Sequence, residues 1–335
     1  MQVKSANRVG KIVVLGTGGT IAGIAAKVSD NLAYAAAQVG VGELLGAIPG
    51  LTDALRGRVL VVEQVAQIDS KNMSFAVWRQ LALRVSHHLA QADVQGVVIT
   101  HGTDTLEETA YFLHAALPAA QQASKPVVLT CAMRPATSVA PDGPQNVLDA
   151  VAVLNTVDAC GVLAVCAGTV HGALDVQKVH PYRLDAFDSG DAGPVGYVEE
   201  GVVRLVRNWP LAPVISAQIA IKKIVNEHDW PRVEIVLNYA GAGGAMVDAL
   251  LSQVRSQVGA PLPLRGLVVA GTGNGTVHHD LEAALIRAQA AGVKVLRATR
   301  CHSGRVLPTP GNPIPDSQGL SPVKARVALM LALMQ

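Results

Sequence analysis

The sequence predicts an α/β fold of two α/β domains. The larger N-terminal domain has a mainly parallel sheet with helices on both faces, and the smaller C-terminal domain has a parallel sheet. The chain of 335 residues is longer than one hydrophobic core usually supports. Strand and helix signals alternate along it, and the strand signals are continuous apolar runs, as in parallel sheets buried on both faces. The alternation breaks off once, between residues 207 and 229.

The N-terminal domain is assigned to residues 1–206 from these signals. Its first strand lies in Lys11–Gly23, where a valine- and isoleucine-rich run ends in a cluster of glycines. Ser74–Ala90 predicts an amphipathic helix with Ser74 as its N-cap, and Pro144–Thr156 predicts a helix with proline near its start. The remaining predictions are an irregular loop at Ala25–Val39, helices at Val41–Ile48 and Thr105–Leu117, strands at Arg58–Val65, Gly96–Thr100, Pro126–Cys131, Gly161–Cys166 and Val202–Val206, and a turn-rich segment without helical periodicity at Gly168–Gly201.

The segment Arg207–Asp229 is predicted to be a linker, because prolines, one of them in a tryptophan–proline pair, interrupt any regular pattern. Residues 230–335 then form the C-terminal domain. Its last helix, Ser321–Leu333, has Ser321 as N-cap and Pro322 at the first helical position. The other predicted elements are strands at Val233–Leu237, Gly266–Ala270 and Val293–Ala298, helices at Ala245–Gln257 and Asp280–Ala291, and a proline-rich loop at Pro308–Pro315.

Composition and charge argue against several classes of protein. The formal net charge is +2, and no basic cluster indicates binding to nucleic acid or to a membrane surface. No apolar stretch is long enough to span a bilayer, and residues 1–11 carry positive charge without the apolar region of a signal peptide. The sequence therefore favours the cytoplasm, or the periplasm if a signal peptide has been removed. The four cysteines have no metal-ligand spacing, so buried free thiols are expected.

The first candidate functional loop is Gly16–Ala22, which reads G-T-G-G-T-I-A and ends the first strand with the hydroxyl of Thr20. Ligands of open α/β sheets bind at this edge. The loop does not match the dinucleotide fingerprint, because the sixth residue is Ile21, and no Gly-Lys-Ser/Thr follows as in a phosphate-binding loop. Taken alone, the loop supports two interpretations of Thr20 equally well, a nucleophile and a cap of the following turn.

A second polar loop follows another apolar strand at Ile99–Glu108, which reads I-T-H-G-T-D-T-L-E-E. Thr103 and Asp104 should therefore lie at the same sheet edge as the first loop. Asp104 or Thr105 also suits the N-cap of the helix that begins there. His101 precedes a glycine at a strand end, which favours a structural histidine over a catalytic one.

Lys178 is the third candidate, in the segment D-V-Q-K-V at Asp175–Val179. A lysine in a polar segment is by default solvated. A threonine hydroxyl, however, is a weak nucleophile that needs an adjacent base. A lysine held beside an acid and a second threonine is able to supply one.

The motifs together resemble the bacterial L-asparaginase family, which also includes glutaminase-asparaginases. The family motif T-G-G-T-I-A stands at Thr17–Ala22, and H-G-T-D-T-x-E-E-T-A stands at His101–Ala110. Further matches follow in order along nearly the whole chain: A-M-R-P at Ala132–Pro135, D-G-P-x-N at Asp142–Asn146, Lys178 in its D-V-x-K context, G-N-G at Gly273–Gly275 and P-x-K-A-R at Pro322–Arg326.

The resemblance implies a reaction and the residues that perform it. Thr20 would attack the side-chain amide of L-asparagine and form an acyl-enzyme, with Tyr34 assisting it. Thr103, Asp104 and Lys178 would form a second set of hydroxyl, acid and base. The family implies neither a cofactor nor a metal ion. It implies a homotetramer, a dimer of intimate dimers, whose sites lie between the N-terminal domain of one subunit and the C-terminal domain of another.

The resemblance also implies how the substrate is held. Asp104 would bind its α-ammonium, Ser70 its α-carboxylate, and the backbone amide of Thr103 the oxyanion. Pocket contacts are implied for Ser70, Thr103, Asp104, Ala132, Asn274 and Thr276. The alternatives are a glutaminase-asparaginase with appreciable L-glutamine activity and a catalytically silent amino-acid-binding protein.

Three departures from the family pattern bear on this site. Lys71 stands where the family usually has a glutamine or glutamate that contacts the substrate ammonium, which predicts a weaker affinity for that group. No acid precedes Asp316 in the loop where many members place a glutamate near the tyrosine of the neighbouring site. Thr276 replaces an asparagine found in some members and keeps the ability to form a hydrogen bond.

Overall fold

The computed structural model describes residues 10–210, 221–226, 229–252 and 262–334. The chain divides into two units at Ile221, with residues 1–221 in the first and 222–335 in the second. The predicted linker Arg207–Asp229 includes this point, and part of it lies outside the described residues. Part of the predicted helix Ala245–Gln257 also lies outside them.

The N-terminal unit carries most of the elements. In chain order they are β1 (Lys11–Gly18), β2 (Ile24–Ala25), β3 (Tyr34–Ala35), α1 (Val41–Gly46), α2 (Leu51–Ala54), β4 (Val59–Ile68), α3 (Phe75–Leu89), β5 (Val94–Thr100), α4 (Leu106–Ala116), α5 (Ala119–Ser124), β6 (Val127–Thr130), α6 (Gly143–Leu154), β7 (Val162–Cys166), β8 (Thr169–Gly172), β9 (Gln177–Lys178), β10 (Phe187–Asp188), β11 (Gly196–Glu199) and β12 (Val202–Leu205). Helix α7 (Ile221–Asn226) follows at the division between the units.

Within the described residues, the N-terminal unit contains an eight-stranded sheet in the order β12-β11-β8-β7-β6-β5-β1-β4. Strands β4, β1, β5, β6 and β7 are parallel to one another. The pairs β7–β8, β8–β11 and β11–β12 are antiparallel. Ile12 to Leu15 in the middle of β1 are 0% exposed, because helices cover both faces of the sheet. The parallel order brings the carboxyl ends of β1, β4, β5 and β6 to one edge, which is where the candidate loops begin.

The C-terminal unit is a smaller α/β unit. Its elements are β13 (Arg232–Leu237), α8 (Ala245–Leu251), β14 (Leu264–Gly271), α9 (His279–Ala290), β15 (Lys294–Thr299) and α10 (Pro322–Ala332). The three strands form a parallel sheet in the order β13-β14-β15. The predicted fold class is therefore confirmed for both units.

Two segments contain strands that the sequence patterns did not predict. Ala25–Val39 was predicted to be irregular, yet β2 and β3 pair as a two-residue antiparallel ribbon there. Gly168–Gly201 contains the four strands β8 to β11, although the pattern indicated only turns. Strands of two to four residues are too short to show an alternating pattern, and only their pairing in the folded chain defines them. Helices α2 and α5 were also not predicted.

Several local predictions can be compared directly with the structure. The Ser74 side chain accepts a hydrogen bond from the backbone N–H of Val77 at 3.3 Å, which makes it the N-cap of α3. The four cysteines are free, with Cys301 exposed and the other three buried. Among the described residues, every helix is too short or too polar to cross a bilayer.

Asn146 on α6 ties together the carboxyl ends of β6 and β7. Its Nδ2 donates to the carbonyl of Cys131 at 2.9 Å, and its Oδ1 accepts from the backbone N–H of Ala167 at 3.0 Å. Both backbone groups come directly after their strands. Asn146 and Cys131 are buried, so the Cys131 carbonyl has no ready access to water, whereas Ala167 is exposed.

Replacing Asn146 with alanine should lower the free energy of unfolding by about 1–3 kcal/mol, because the buried carbonyl of Cys131 loses its donor and the bond to the Ala167 N–H is also lost. Chemical denaturation of the variant measures this. Gln80→Ala, at an exposed position of α3, is the control and should stay close to the wild type. Equal stability of the Asn146 variant and the wild type would show that the bridge contributes little.

Candidate active site

The backbones of two loops touch at the carboxyl edge of the large sheet. Gly19 follows β1 with φ of 85°, and a Cβ there would lie 2.3 Å from the Cα of Gly102, which follows β5. Only glycine fits this contact, because any side chain would collide with backbone. Thr20 and Thr103 are the next residues in each loop, so the contact brings both threonines to the same edge.

Thr20 and Tyr34 form the first hydrogen-bonded pair. Thr20 begins a short 3₁₀ turn, Thr20–Ala22, and Tyr34 comes from β3 of the small ribbon that follows. Their hydroxyl oxygens lie 2.6 Å apart, and either oxygen can donate. The threonine is only 7% exposed. A buried hydroxyl is thus held against a phenol at the end of the first strand.

Thr103, Asp104 and Lys178 form the second set. Lys178 Nζ donates to Thr103 Oγ1 at 2.8 Å and to Asp104 Oδ1 at 2.6 Å. The Thr103 hydroxyl in turn donates to Asp104 Oδ1 at 3.4 Å. The structure therefore brings together a hydroxyl, a carboxylate and an amine that the sequence spaces up to 75 positions apart.

Ser70 connects this set to the loop that follows β4. Its Oγ accepts from the backbone N–H of Asp104 at 3.2 Å, and its carbonyl accepts from Thr105 Oγ1 at 2.9 Å. Thr105 is the N-cap residue of α4, and its hydroxyl makes this contact instead of a side-chain capping bond. A serine hydroxyl that accepts from an N–H keeps its own proton for another partner, such as a carboxylate.

A pocket of about 270 Å³ opens between these loops. Its walls carry charges of both signs and five hydroxyl groups, which suits a small zwitterion better than an apolar ligand. Its described lining residues all belong to the N-terminal unit. They are Thr20, Asn31, Leu32, Tyr34, Asp69, Ser70, Lys71, Thr103, Asp104, Met133, Lys178, Pro181 and Tyr182.

Lys71 brings an additional cation to this pocket. Its Nζ lies 3.0 Å from Asp69 Oδ2, and most of its side chain is exposed. The hydrogen bond and charge of Asp69 raise the pKa of Lys71, with smaller contributions from Asp104 and Tyr34. The ammonium is therefore turned towards Asp69 but stays at the pocket wall.

The remaining residues of the predicted site lie elsewhere. Ala132 is 1% exposed and follows the end of β6, next to the lining residue Met133. Asn274 and Thr276 lie in the C-terminal unit, on the turn after β14. There Asn274 Oδ1 accepts from the backbone N–H of Leu307 at 2.7 Å.

The sequence patterns did not single out several residues that the structure places at or beside the pocket. The pocket is lined by Asp69, Met133, Pro181 and Tyr182. Glu107 accepts a hydrogen bond from the backbone N–H of Lys178. Asp69 and Met133 are sequence neighbours of Ser70 and Ala132, so their proximity could have been inferred. No local signal identifies Tyr182, which the folding of the β9–β10 hairpin brings to the site. Glu107 stands in the motif at His101–Ala110 and in the first turn of α4, but the motif does not reveal its contact with Lys178.

A possible metal-binding group lies outside this pocket. Among the described residues, His278, His279 and Asp280 are close enough to share a metal ion, and they lie in the C-terminal unit where α9 begins. Two of the three are exposed. The pocket itself is built from hydroxyl groups and opposed charges, which are suited to proton transfer and zwitterion binding.

His101 lies in the core beneath the second loop. It is fully buried, and its Nδ1–H donates to the carbonyl of Gly102 at 2.7 Å. Burial lowers the pKa of His101 to about 4, against a small opposing effect of this hydrogen bond. A neutral, buried histidine that bonds the loop backbone has a structural role here.

Comparisons with known proteins identify relatives of the whole chain. The family model described as Asparaginase, N-terminal matches residues 11–211, and the one described as Glutaminase/Asparaginase C-terminal domain matches residues 232–335. L-asparaginase 2 of Bacillus subtilis (strain 168) is 35% identical over 330 residues, which cover 96% of this chain and 82% of that protein. Glutaminase-asparaginase of Pseudomonas fluorescens biotype A is 34% identical over 340 residues, covering 99% and 88%.

A solved structure agrees with these matches. The crystal structure of a probable cytoplasmic L-asparaginase from Campylobacter jejuni superimposes with a TM-score of 0.86 at 35% sequence identity. The alignment covers 97% of this chain and 95% of that one. Sequence and fold therefore point to the same relatives.

The buried state of His101 makes the stability dependent on pH. The unfolded chain takes up a proton as the pH falls below about 6.5, whereas the folded protein does so only near 4. The contribution is therefore fully present above pH 6.5 and is lost as the pH falls towards 4. Between pH 7 and pH 5 the wild type should lose about 2 kcal/mol more unfolding free energy than His101→Asn. Denaturation at both pH values measures this, and parallel losses in the two proteins would contradict it.

Proposed function

The chain belongs to the asparaginase family and has asparaginase activity, and we propose that this activity proceeds through Thr20 as the nucleophile in the N-terminal pocket. The observation that carries the proposal is the 2.6 Å contact between the hydroxyls of Thr20 and Tyr34 at the pocket wall. The Thr103–Asp104–Lys178 set lines the same pocket. A weak hydroxyl nucleophile and groups able to move its proton therefore face one space.

The proposed reaction has two steps. Thr20 Oγ1 attacks the carbonyl carbon of the side-chain amide, the carbon–nitrogen bond breaks, and ammonia leaves with the proton from the hydroxyl. Water then hydrolyses the resulting ester, which releases L-aspartate and restores the threonine. Tyr34 relays this proton, because its oxygen takes the proton of the Thr20 hydroxyl while its own phenolic proton passes to the leaving nitrogen. Thr103, Asp104 and Lys178 form the second set through which a proton moves. The backbone N–H of Thr103 stabilises the oxyanion, a contact of a type worth about 10²–10³ in rate.

The charges of the pocket match the two charges of an amino acid. Asp104 binds the α-ammonium, since its side chain is half exposed and faces the pocket. Ser70 donates its hydroxyl proton to the α-carboxylate, because its oxygen already accepts from the N–H of Asp104. The side-chain amide is thereby directed towards the threonines.

The proposal includes the homotetramer that the resemblance implies, a dimer of intimate dimers. Each site then takes its nucleophile from one subunit and Asn274 and Thr276 from the C-terminal unit of a neighbour. Ala132 contributes its backbone to the pocket. The chain matches both family domains, so each subunit has the two parts that such a shared site needs.

Appreciable L-glutamine activity is the second candidate function. The relative from Pseudomonas fluorescens biotype A is named a glutaminase-asparaginase. One additional methylene changes binding by only about 1–3 kcal/mol in a pocket. Both substrates therefore need to be tested. A catalytically silent binding protein is disfavoured, because the chain retains every side chain that the proposed mechanism uses within its N-terminal unit.

We also propose that the protein acts in the cytoplasm. Its four cysteines are free, and the solved structure from Campylobacter jejuni is named as a probable cytoplasmic enzyme. A periplasmic location is the alternative. Fractionation of the native cells followed by an ammonia-release assay decides between them.

Replacing Thr20 with alanine should reduce ammonia release from L-asparagine by at least about 10³-fold, because the attacking oxygen is lost. The assay is run in parallel with L-glutamine. Thr17→Val is the matched control, since Thr17 lies three residues before Thr20 and does not line the pocket. Its hydroxyl donates instead to the carbonyl of Thr100 at 2.9 Å. That control should stay within about tenfold of the wild type. Full activity of Thr20→Ala would make the nucleophile assignment wrong.

Replacing Lys71 with glutamine should lower KM for L-asparagine about two- to threefold at low ionic strength, because a cation that repels the substrate ammonium is removed. The effect is modest since Asp69 already pairs with the lysine. Added salt should shrink the difference. Lys27→Gln removes an exposed charge that does not line the pocket and is the control. An unchanged or higher KM in Lys71→Gln contradicts the prediction.

A further inference from the structure

The strand that carries Lys178 has little support from its own sheet. Strand β9 has two residues, and its only partner among the described strands is the two-residue β10. This ribbon is separate from the eight-stranded sheet. A ladder of two residues is marginally stable on its own, so the position of the lysine backbone needs another anchor.

Glu107 provides such an anchor. Its Oε2 accepts a hydrogen bond from the backbone N–H of Lys178 at 2.6 Å, across 71 positions of sequence. Glu107 lies in the first turn of α4 and is half-buried. A hydrogen bond to a carboxylate is about twice as strong as one between neutral groups.

The segment from Thr103 to Glu107 therefore holds Lys178 at both ends, by its backbone and by its Nζ. Glu107 binds its backbone, while Thr103 and Asp104 bind its Nζ at 2.8 and 2.6 Å. A lysine side chain has four rotatable bonds, and holding only its tip would leave its backbone free to move. Fixing both ends sets the distance from Nζ to Thr103 Oγ1.

We propose that Glu107 is a positioning residue of the active site, which places Lys178 against Thr103 through the lysine backbone. Glu107 is not one of the residues that line the pocket, so it acts through the lysine and not on the substrate. The inference rests on the proposed function, since it assigns Lys178 to proton movement during the reaction. Its loss should therefore lower kcat more than it changes KM.

The length and the charge of the side chain at Glu107 can be tested separately. Glu107→Gln keeps the length of the side chain and an oxygen that accepts from the N–H, but loses the charge. Glu107→Asp keeps the charge near the start of α4, but withdraws the carboxylate by one methylene. If positioning is the role, glutamine preserves activity and aspartate does not.

Glu108 offers a matched control. It lies beside Glu107 in the first turn of α4 and is also half-buried. Either acid interacts favourably with the helix dipole, so removing either one costs the helix a similar dipole interaction. The bond to the Lys178 backbone belongs to Glu107.

The experiment measures kcat and KM for L-asparagine, the thermal midpoint, and amide hydrogen exchange of a peptide containing Lys178 in the full-length protein. Glu107→Asp and Glu107→Ala should lose about 10- to 100-fold in kcat, because a misplacement of about 1 Å costs rate of this order. KM should stay within about threefold. Glu107→Gln and Glu108→Ala should keep kcat within about threefold of the wild type. Hydrogen exchange at the backbone amide of Lys178 should accelerate only in Glu107→Asp and Glu107→Ala.

Several outcomes would overturn the inference. One is wild-type kcat in Glu107→Asp, and another is an equal loss of kcat in Glu107→Ala and Glu108→Ala. A loss of kcat in Glu107→Gln with kcat kept in Glu107→Asp would mean that the charge of the side chain matters and its length does not. If the alanine variant does not fold, the aspartate and glutamine pair still decides. Thr20→Ala in the same assay separates the two proposals: if it stays active, the proposed function fails, whereas if it is inactive and Glu107→Asp matches the wild type, only the positioning role fails.

Discussion

The backbone contact between Gly19 and Gly102 is the constraint on which the site depends. A Cβ at Gly19 would lie 2.3 Å from the Cα of Gly102, so the backbones of the loops after β1 and β5 leave no room for a side chain between them. The next residue in each loop is a threonine. Because the two strands are parallel neighbours, the contact forms at the edge where their carboxyl ends meet. The positions of both hydroxyls thus follow from one contact.

The polar groups around this contact are held in two separate hydrogen-bonded sets. Thr20 bonds with Tyr34, which comes from a short ribbon, while Thr103 bonds with Asp104 and Lys178. Ser70 joins the second set to the loop after β4. Buried hydroxyls need such partners, because an unpaired polar group in the interior costs about 1–3 kcal/mol. The same bonds that satisfy these groups also fix their orientation towards the pocket.

Much of the fold could be predicted from the sequence, and the reason is physical. Strands such as β1 and β5 are buried on both faces, so they are continuous apolar runs, and α3 shows both amphipathic periodicity and the Ser74 cap. The ribbon of β2 with β3 and the strands β8 to β11 could not be predicted. They are two to four residues long, which is too short for a periodic pattern, and only their pairing in the folded chain defines them.

The sequence by itself determined the two α/β units, the loops that follow the central strands and, through the ordered motifs, the asparaginase family. The resemblance also implied that Lys178 acts with Thr103 and Asp104, whose contacts with its Nζ span 75 and 74 positions. Only the tertiary structure decided that Glu107 holds the backbone N–H of Lys178, across 71 positions. Local patterns report periodicity and capping, which depend on near neighbours in the chain. Contacts between distant segments depend on how strands are ordered in the folded sheet, and no local pattern encodes that order.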